Sequence, residues 1–284
     1  MKLAVALLSC VVSYVALTAS PLSLQQRDPA AVAPFKIAGN IYYVGTTDPT
    51  AFLITTGVGH ILIDTTYEKT APLVADSIRK LGFKLEDVKI ILSSHAHFDH
   101  VGGHATMKKL TGAQLVATAQ DAINLESGGE TAFHYTGLFP KVAVDRRLKD
   151  GDPVKLGNAT LTAHLVPGHT EGNTAWTTTV EADGKTYNVL FAASMSVNPG
   201  VKLVNNPKWS GVTDAYTKSF ARLQAIKYDI FLGPHAGFFD LDAKRERLDK
   251  GGTNPFVDPQ GHLRFLEDLE GKFQALLQKE KQGG

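Results

Sequence analysis

Residues 93–100 read SSHAHFDH and place three histidines and one aspartate within the six positions from His95 to His100. The preceding residues, 88–92, form an almost continuous apolar run that is typical of a strand buried on both faces. A helix is predicted over about residues 102–110, so the cluster lies at the C-terminal end of a strand, where ligands bind in open α/β sheets. This placement predicts a metal site. A chance cluster on a polar loop and a site for proton transfer alone are the alternatives.

Two further histidines occupy the same kind of position in the second half of the chain. His169 lies in VPGHTEGN, directly after a predicted strand over 160–166, and His235 lies in FLGPHAG, directly after one over 229–232. The alternative is that they are ordinary surface histidines. Delivery of histidines by several strands to one sheet edge favours a shared metal site, whose donors would be His95, His97, Asp99, His100, His169 and His235. Other histidines lie within strand or helix patterns and are predicted to be structural: His60, His164 and His262.

The composition narrows the function. The chain has 284 residues, 29 basic against 28 acidic side chains and a formal net charge of +1. This balance, with no basic run, gives no electrostatic case for binding nucleic acid. Cys10 is the one cysteine. Because it lies in the predicted leader, the processed chain would have no disulfide and no thiolate metal ligand.

The N-terminus has the pattern of a secretory leader. One lysine is followed by an apolar run of small residues over 3–19, which is too short to be a typical membrane span. We predict a leader over residues 1–19, with an uncleaved anchor helix as the alternative. Residues 20–34 are predicted to be an N-terminal tail, and residues 35–284 to be one domain.

Predicted strands and helices alternate along that domain. Short β-type runs come first, and amphipathic helical periodicity then appears over 70–81, with an apolar face closed by Gly82. Residues 88–117 have the pattern of a βαβ unit. The second half mixes strands near 160–166, 174–180, 187–193 and 229–232 with helices near 214–226 and 259–278. The pattern predicts a single, layered α/β domain.

The motif HAHFDH matches the H-x-H-x-D-H signature of the metallo-β-lactamase superfamily, and PGHT and GPH follow in the expected order. The chain therefore resembles this superfamily over nearly all of residues 35–284. The resemblance implies a four-layer αβ/βα sandwich that binds two zinc ions per chain. The implied first zinc site is His95, His97 and His169, and the second is Asp99, His100 and His235. Asp64, in LIDT, would support the metal loop from behind.

Further segments resemble subclass B3 metallo-β-lactamases. Ser194 stands where many dinuclear members have a bridging aspartate, and PGHTEGNTAWTTTV and NPFVDPQGHLRFLE are similar to that subclass. The resemblance implies that Ser194 holds a metal-bound water and Ser196 binds the substrate carboxylate, with ordinary polar residues at a strand end as the alternative. The loop TAFHYTGLFP could form an apolar wall for the substrate, or its side chains could pack in the core. These side chains are Phe133, Tyr135, Leu138 and Phe139.

The resulting prediction is a zinc-dependent hydrolase in which a zinc-bound hydroxide opens the β-lactam ring, with Asp99 as both ligand and proton relay, and which confers antibiotic resistance. The first alternative is a secreted lactonase, thioesterase or other ester hydrolase of the same superfamily. The second is a non-catalytic periplasmic zinc-binding protein. We expect a monomer whose partner is a small molecule, exported across the inner membrane and periplasmic in a Gram-negative source, with no stable membrane association once the leader is removed.

Overall fold

The computed structural model of the protein describes residues 29–283. The predicted leader, residues 1–19, and most of the predicted tail, residues 20–34, lie outside the described residues. The described end of the tail is tied to the fold, because Ala31 forms an isolated antiparallel bridge with Thr46. Among the helices of residues 29–283, none combines the length and the apolar character that a membrane span needs.

The first sheet has seven strands, each hydrogen-bonded to the next in chain order. The pairs up to the fourth strand are antiparallel, and the later pairs are parallel. Parallel neighbours need crossover connections, which helices supply here. The βαβ unit predicted over 88–117 is therefore confirmed. The strands are β1 (Phe35–Ala38), β2 (Ile41–Tyr43), β3 (Phe52–Thr56), β4 (Gly59–Ile63), β5 (Val88–Leu92), β6 (Gln114–Thr118) and β7 (Arg146–Leu148). The helices are α1 (Ala71–Lys80) before β5, α2 (Phe98–Val101) and α3 (His104–Thr111) before β6, and α4 (Ala119–Ser127) before β7.

The second sheet has five strands, β8 (Pro153–Leu156), β9 (Ala159–Leu165), β10 (Thr174–Ala182), β11 (Lys185–Phe191) and β12 (Ile230–Leu232). Their order in space is β12-β11-β10-β9-β8. Strands β9 and β11 both run antiparallel to β10, and β12 runs parallel to β11. Strands β9, β11 and β12 therefore all end at the same edge of this sheet.

Side chains of the first sheet alternate between two hydrophobic clusters. On β4, Ile61 and Ile63 enter the cluster shared with the second sheet, whereas Leu62 enters the cluster on the opposite face. On β3, Leu53 points to the same side as Leu62. This alternation follows from the two-residue period of a strand, and it buries both faces of the sheet.

Helices cover the two outer faces. Val74 and Ile78 of α1 and Met107 of α3 pack against the first sheet. On the other side, Phe220 of α5 (Val212–Ala225) packs against Phe273 of α7 (Gly261–Lys281), with 5.6 Å between ring centroids. Residues 29–283 also form helix α6 (Leu241–Asp249) and three short 3-10 helices, Glu68–Thr70, Leu85–Asp87 and Ala236–Phe239. The layers thus run helix, sheet, sheet, helix, and the predicted single-domain αβ/βα sandwich is confirmed.

Candidate metal centre

The predicted metal ligands, with Asp64, Ser194 and Ser196, all lie just beyond strand ends. In the first sheet, β4 ends before Asp64, and the parallel β5 ends before residues 93–100. In the second sheet, β9 ends before His169, β11 before Ser194 and β12 before His235. Segments that are far apart in the chain therefore meet at one edge of the sandwich.

The first group of donors consists of His95, His97 and His169, all of them buried. The Nδ1 atom of His97 lies 3.1 Å from the Nε2 atom of His169. The ring of His95 lies 4.8 Å from that of His97 and 4.7 Å from that of His169, measured between centroids. Three imidazoles thus converge on one point.

Hydrogen bonds fix which nitrogen of His95 and His169 faces that point. The Nδ1 atom of His169 donates to the Ser196 carbonyl oxygen at 2.7 Å, which leaves Nε2 as the free acceptor. The Nδ1 atom of His95 lies 3.1 Å from Ser94 Oγ, and its buried Nε2 atom has no hydrogen-bond partner in the described part of the chain. A bond at one ring nitrogen sets the role of the other. Both rings are therefore oriented as ligands.

The second group consists of Asp99, His100 and His235. The Nε2 atoms of His100 and His235 are 3.2 Å apart. The Asp99 Oδ2 atom lies 3.3 Å from the first and 3.7 Å from the second. The rings of His95 and His100 have centroids only 4.2 Å apart, so the two groups adjoin.

These spacings suit metal coordination. Within each group, the donor atoms all lie within 4.8 Å of one another. Two nitrogen ligands of a tetrahedral zinc ion, each about 2.0–2.1 Å from the metal, would be about 3.3 Å apart. The observed nitrogen separations of 3.1 and 3.2 Å are close to this value. The six donors are imidazoles and one carboxylate, without a thiolate, a set that suits zinc.

Asp64 lies behind the ligand loop and contacts Ser94 and His100. Its carboxylate accepts a hydrogen bond from the Ser94 N–H at 2.7 Å and one from Ser94 Oγ at 2.6 Å. Its Oδ2 atom also lies 3.3 Å from His100 Nδ1, so His100 presents Nε2 to the second group. Through Ser94 and His100, the carboxylate contacts the ligand loop at both ends.

The two serines after β11 differ in their surroundings. Ser194 is buried, and its Oγ atom has no hydrogen-bond partner among residues 29–283. The Oγ atom of Ser196 is half-buried and lies 3.4 Å from His169 Nδ1. A buried hydroxyl without a partner is uncommon in folded proteins. Ser194 is therefore available to a water or another polar group.

Residues 131–140, which we call the aromatic loop, only partly face this centre. Tyr135 packs edge-on against the ring of His97 at 5.3 Å, and Leu138 is 53% exposed. Phe133 packs against Trp209 with 5.1 Å between centroids. Phe139 packs against the core on the α1 and α3 side of the first sheet. Phe133 also packs against the core between the sheets, but its ring contacts those of Trp209 and His134. Within residues 29–283 no such ring contact involves Phe139, so we leave only Phe139 out of the proposed substrate wall.

Burial and neighbouring charges shift the pKa of His100, in the second donor group, in the opposite direction to the pKa values of the three histidines in the first. Burial and the neighbouring histidines hold the pKa of His95 and of His97 well below the usual range, and burial lowers the pKa of His169 to about 4. Burial also opposes the charge on His100, but Asp99 and Asp64 outweigh it and raise its pKa to about 10. The first group is thus neutral at pH 7, which is the form that binds metal.

Asp48, which sequence reasoning missed, supports the second group from the other side. Its carboxylate oxygens lie 3.0 and 3.1 Å from His235 Nδ1, and one of them accepts a hydrogen bond from the Ala236 N–H at 3.0 Å. This contact presents Nε2 of His235 to the second group. Asp48 lies in the loop between β2 and β3, and its sequence context, GTTDPT, has no signal that separates it from an ordinary turn.

We expect the Asp48→Ala variant to bind the second metal ion about 10–100-fold more weakly, which is the usual cost of losing such an outer carboxylate. His235 would lose the partner that sets its ring orientation. Zinc titration of the metal-free protein measures this, and Asp48→Asn should fall between wild type and Asp48→Ala because it keeps one acceptor oxygen. Asp76→Ala, which removes an exposed carboxylate paired with Arg79, is the control. Equal zinc affinity in Asp48→Ala and wild type would contradict this role.

Comparisons with known proteins agree with the geometry. The family model described as the metallo-beta-lactamase superfamily matches residues 44–181. The native FEZ-1 metallo-beta-lactamase from Legionella gormanii is 44% identical, with a TM-score of 0.87, over 89% of this chain and 98% of that one. BJP-1 from Bradyrhizobium japonicum, a subclass B3 metallo-beta-lactamase, is 41% identical, with a TM-score of 0.84, over 89% of this chain and 97% of that one.

Curated relatives match over a shorter stretch. The hydroxyacylglutathione hydrolase of Hyphomonas neptunium is 36% identical over 86 residues, which are 30% of this chain and 27% of that protein. That of Methylococcus capsulatus is 32% identical over 103 residues, 36% of this chain and 33% of that protein. The chain thus spans about a third or less of the length of these relatives.

Proposed function

Because the chain belongs to the metallo-β-lactamase superfamily and is a hydrolase of that superfamily, we propose that it is a zinc-dependent β-lactamase. Its substrates would be penicillins, cephalosporins and carbapenems as a class, and its biological effect would be antibiotic resistance. One observation carries this proposal: the similarity to FEZ-1, a metallo-beta-lactamase, extends over nearly the whole length of that protein. The similarity to the hydroxyacylglutathione hydrolases covers only about a third or less of the length of those proteins.

Two zinc ions per chain fit the described donors. His95, His97 and His169 would hold the first ion, a three-histidine set that leaves a fourth position open, as catalytic zinc sites do. The other ion would be held by Asp99, His100 and His235. The chemistry that zinc supplies in such a site is Lewis acidity toward a carbonyl oxygen and a lowering of the pKa of water to about 7.

The chain's own residues would position the substrate and move the proton. Hydrolysis adds one water across the amide bond of the β-lactam ring, with the oxygen going to the carbonyl carbon and a proton to the ring nitrogen. Burial opposes the charge of Asp99, but His100 and His235 hold its pKa well below the usual range, so the carboxylate is ionised at neutral pH. One Asp99 oxygen would serve as a ligand, and the other would receive the proton from water and pass it to the nitrogen.

Substrate binding would use the rim of the centre. Ser196 has a half-buried hydroxyl beside His169 and would donate a hydrogen bond to the substrate carboxylate. Ser194, with its unpartnered buried hydroxyl, would hold a water next to the metal ions. Tyr135, Leu138 and Phe133 would form an apolar wall along the loop between α4 and β7. Tyr135 contributes most directly, because it contacts His97.

A lactonase, thioesterase or other ester hydrolase is the second candidate function. It is favoured by the name of the curated relatives, hydroxyacylglutathione hydrolase. Ser194 argues against it, because many dinuclear members with that chemistry carry a bridging aspartate at this strand end. A non-catalytic zinc-binding protein is the least favoured, since a binding protein has no need of an open coordination position.

A substrate panel separates these functions. We expect the purified protein to hydrolyse a chromogenic cephalosporin, to lose this activity to a chelator and to regain it when zinc is added back. Lactones and thioesters in the same assay should be turned over poorly or not at all. Turnover of lactones or thioesters without any β-lactam turnover would overturn the proposal in favour of an ester hydrolase. Stoichiometric zinc binding with no hydrolysis would favour the binding protein.

We also propose that the protein is exported and acts outside the cytoplasm, which would be the periplasm in a Gram-negative source. The support is the leader pattern of residues 1–19, which lies outside the described residues. A monomer is our proposal for its oligomeric state. Small β-lactam substrates, rather than nucleic acid or a membrane, would be its partners.

A further inference from the structure

A cavity of about 390 Å³ lies beside the metal centre, and we call it the side pocket. Its volume is within the range of small-molecule sites, about 300–1,000 Å³. Its lining combines apolar and aromatic side chains with amides, a hydroxyl and one carboxylate. The lining residues on which its chemistry depends are Ile123 and Asn124 of α4, Pro167 and Glu171 of the loop after β9, and Trp209 of the loop before α5.

Among the residues of 29–283 that line the side pocket, Glu171 is the one that carries a charge. Its side chain is half-buried, and no hydrogen bond or ion pair engages its carboxylate within residues 29–283. A partly desolvated charge without a partner is unfavourable, so a cation that enters the pocket gains an attraction already in place. The carboxylate of Glu171 therefore favours a ligand that carries a positive charge.

The other lining residues favour a cation that is carried on an apolar group. Ile123 is 53% exposed, so its aliphatic side chain is accessible to a ligand in the pocket. Trp209 contributes an indole ring, the aromatic group on which cations bind best. A ligand that carries a positive charge on an aromatic or aliphatic group would satisfy Glu171, Trp209 and Ile123 together.

Contacts between rings join the side pocket to the first donor group. Trp209 packs on Phe133 at 5.1 Å, His134 on Tyr135 at 4.0 Å, and Tyr135 on His97 at 5.3 Å, all between centroids. Phe133 and His134 are neighbours in the chain, with their rings 6.3 Å apart. One loop thus carries aromatic rings that contact both a wall of the pocket and a residue of the metal centre.

Chain connectivity sets a limit on the separation. Glu171 follows His169 by two residues, so their Cα atoms are at most about 7 Å apart. A substrate whose carbonyl lies at the donor groups could therefore extend one substituent toward Glu171 and into the side pocket.

We propose that the side pocket binds a cationic substituent of the substrate, so that the enzyme favours β-lactams that carry a positive charge on an apolar group. This inference rests on the proposed β-lactamase function and adds a substrate preference to it. The attraction acts equally in the bound substrate and in the transition state. It should therefore appear mainly in KM rather than in kcat.

Matched cephalosporins test the preference. Two pairs are used, one for the acylamino side chain and one for the ring substituent, and within each pair a pyridinium group replaces a neutral phenyl group. We expect wild type to show a higher kcat/KM for the cationic member of at least one pair. Glu171→Gln should reduce that ratio about three- to tenfold, the size expected for a partly exposed cation site. Glu267→Gln removes an exposed carboxylate from the outer helix α7, so it changes the net charge equally and should keep the wild-type ratio.

A second variant keeps the test decisive if Glu171→Gln folds poorly. Ile123→Lys places a positive charge at an exposed position of the pocket rim and should lower the ratio, or reverse it in favour of the neutral member. Wild-type turnover of all four compounds with a ratio that neither variant changes would overturn this inference alone. Failure of wild type to hydrolyse any β-lactam would overturn the proposed function, and this inference with it.

Discussion

The His169→Ala variant is expected to lose about 1,000-fold or more in kcat/KM toward any substrate that wild type hydrolyses. His169 supplies one of three buried nitrogen donors of the first group. With His95 and His97 alone, the proposed zinc site would lack one of its three protein ligands. Loss of several kcal/mol of charge stabilisation corresponds to a factor of about a thousand, at about 1.4 kcal/mol for each tenfold change in rate.

The matched control is His164→Ala. His164 lies on β9, five residues before His169, and its Nε2 atom is 2.7 Å from Thr177 Oγ1, outside both donor groups. This variant should keep two zinc ions per chain and wild-type kcat. We would measure the zinc content of both variants by elemental analysis and their kcat and KM by steady-state kinetics. A His169→Ala protein with full zinc content and undiminished kcat/KM would refute the assignment of the first group.

Most of the candidate centre could be predicted from sequence because strand ends are local features. The apolar run before residues 93–100 indicates where β5 stops, and the runs before His169 and His235 do the same for β9 and β12. The donors were expected to meet at one sheet edge, and the structure brings them together at one edge of the sandwich, from strands of both sheets. Periodicity also predicted α1 to within one residue and α7 to within three residues at each end.

Elements with weak local signals were missed. Helix α6 has only Leu241 and Lys244 buried, so it has no apolar stripe from which a helix could be predicted. The strands β7 and β8 are three and four residues long, which is too short for alternation to be recognised. Helix α4 did have a start signal, since the Thr118 side chain caps it by accepting from the Asp121 N–H, and sequence reasoning overlooked it.

Asp48 was missed for a different reason. Its partner, His235, is 187 positions away in the chain, and nothing in the composition of a turn encodes such a contact. The same holds for the indole of Trp176, which donates to the Ser93 carbonyl oxygen at 3.0 Å and so joins the second sheet to the ligand loop. Long-range support of a site becomes visible only when the layers have been assembled.

The second large effect concerns Asp64, which has no contact with substrate in the proposed mechanism. We expect Asp64→Ala to weaken binding of the second zinc ion about 10–100-fold, because His100 would lose the carboxylate at its Nδ1 atom. We also expect the metal-free protein to lose about 2–4 kcal/mol of unfolding free energy. The buried Ser94 N–H and hydroxyl would be left without their acceptor, at a cost of about 1–3 kcal/mol for each unsatisfied group.

Backbone conformation adds to the effect and supplies a matched comparison. Asp64 has a φ of +58°, a left-handed conformation that Asp and Asn tolerate better than Ala. Asp64→Asn keeps one acceptor oxygen and this tolerance, so it should retain more stability and more zinc affinity than Asp64→Ala. Denaturant unfolding of the metal-free proteins and zinc titration measure the two effects, with Asp76→Ala as the exposed control. If Asp64→Ala unfolds and binds zinc as wild type does, the ligand loop is held by its other contacts, and Asp64 has no positioning role.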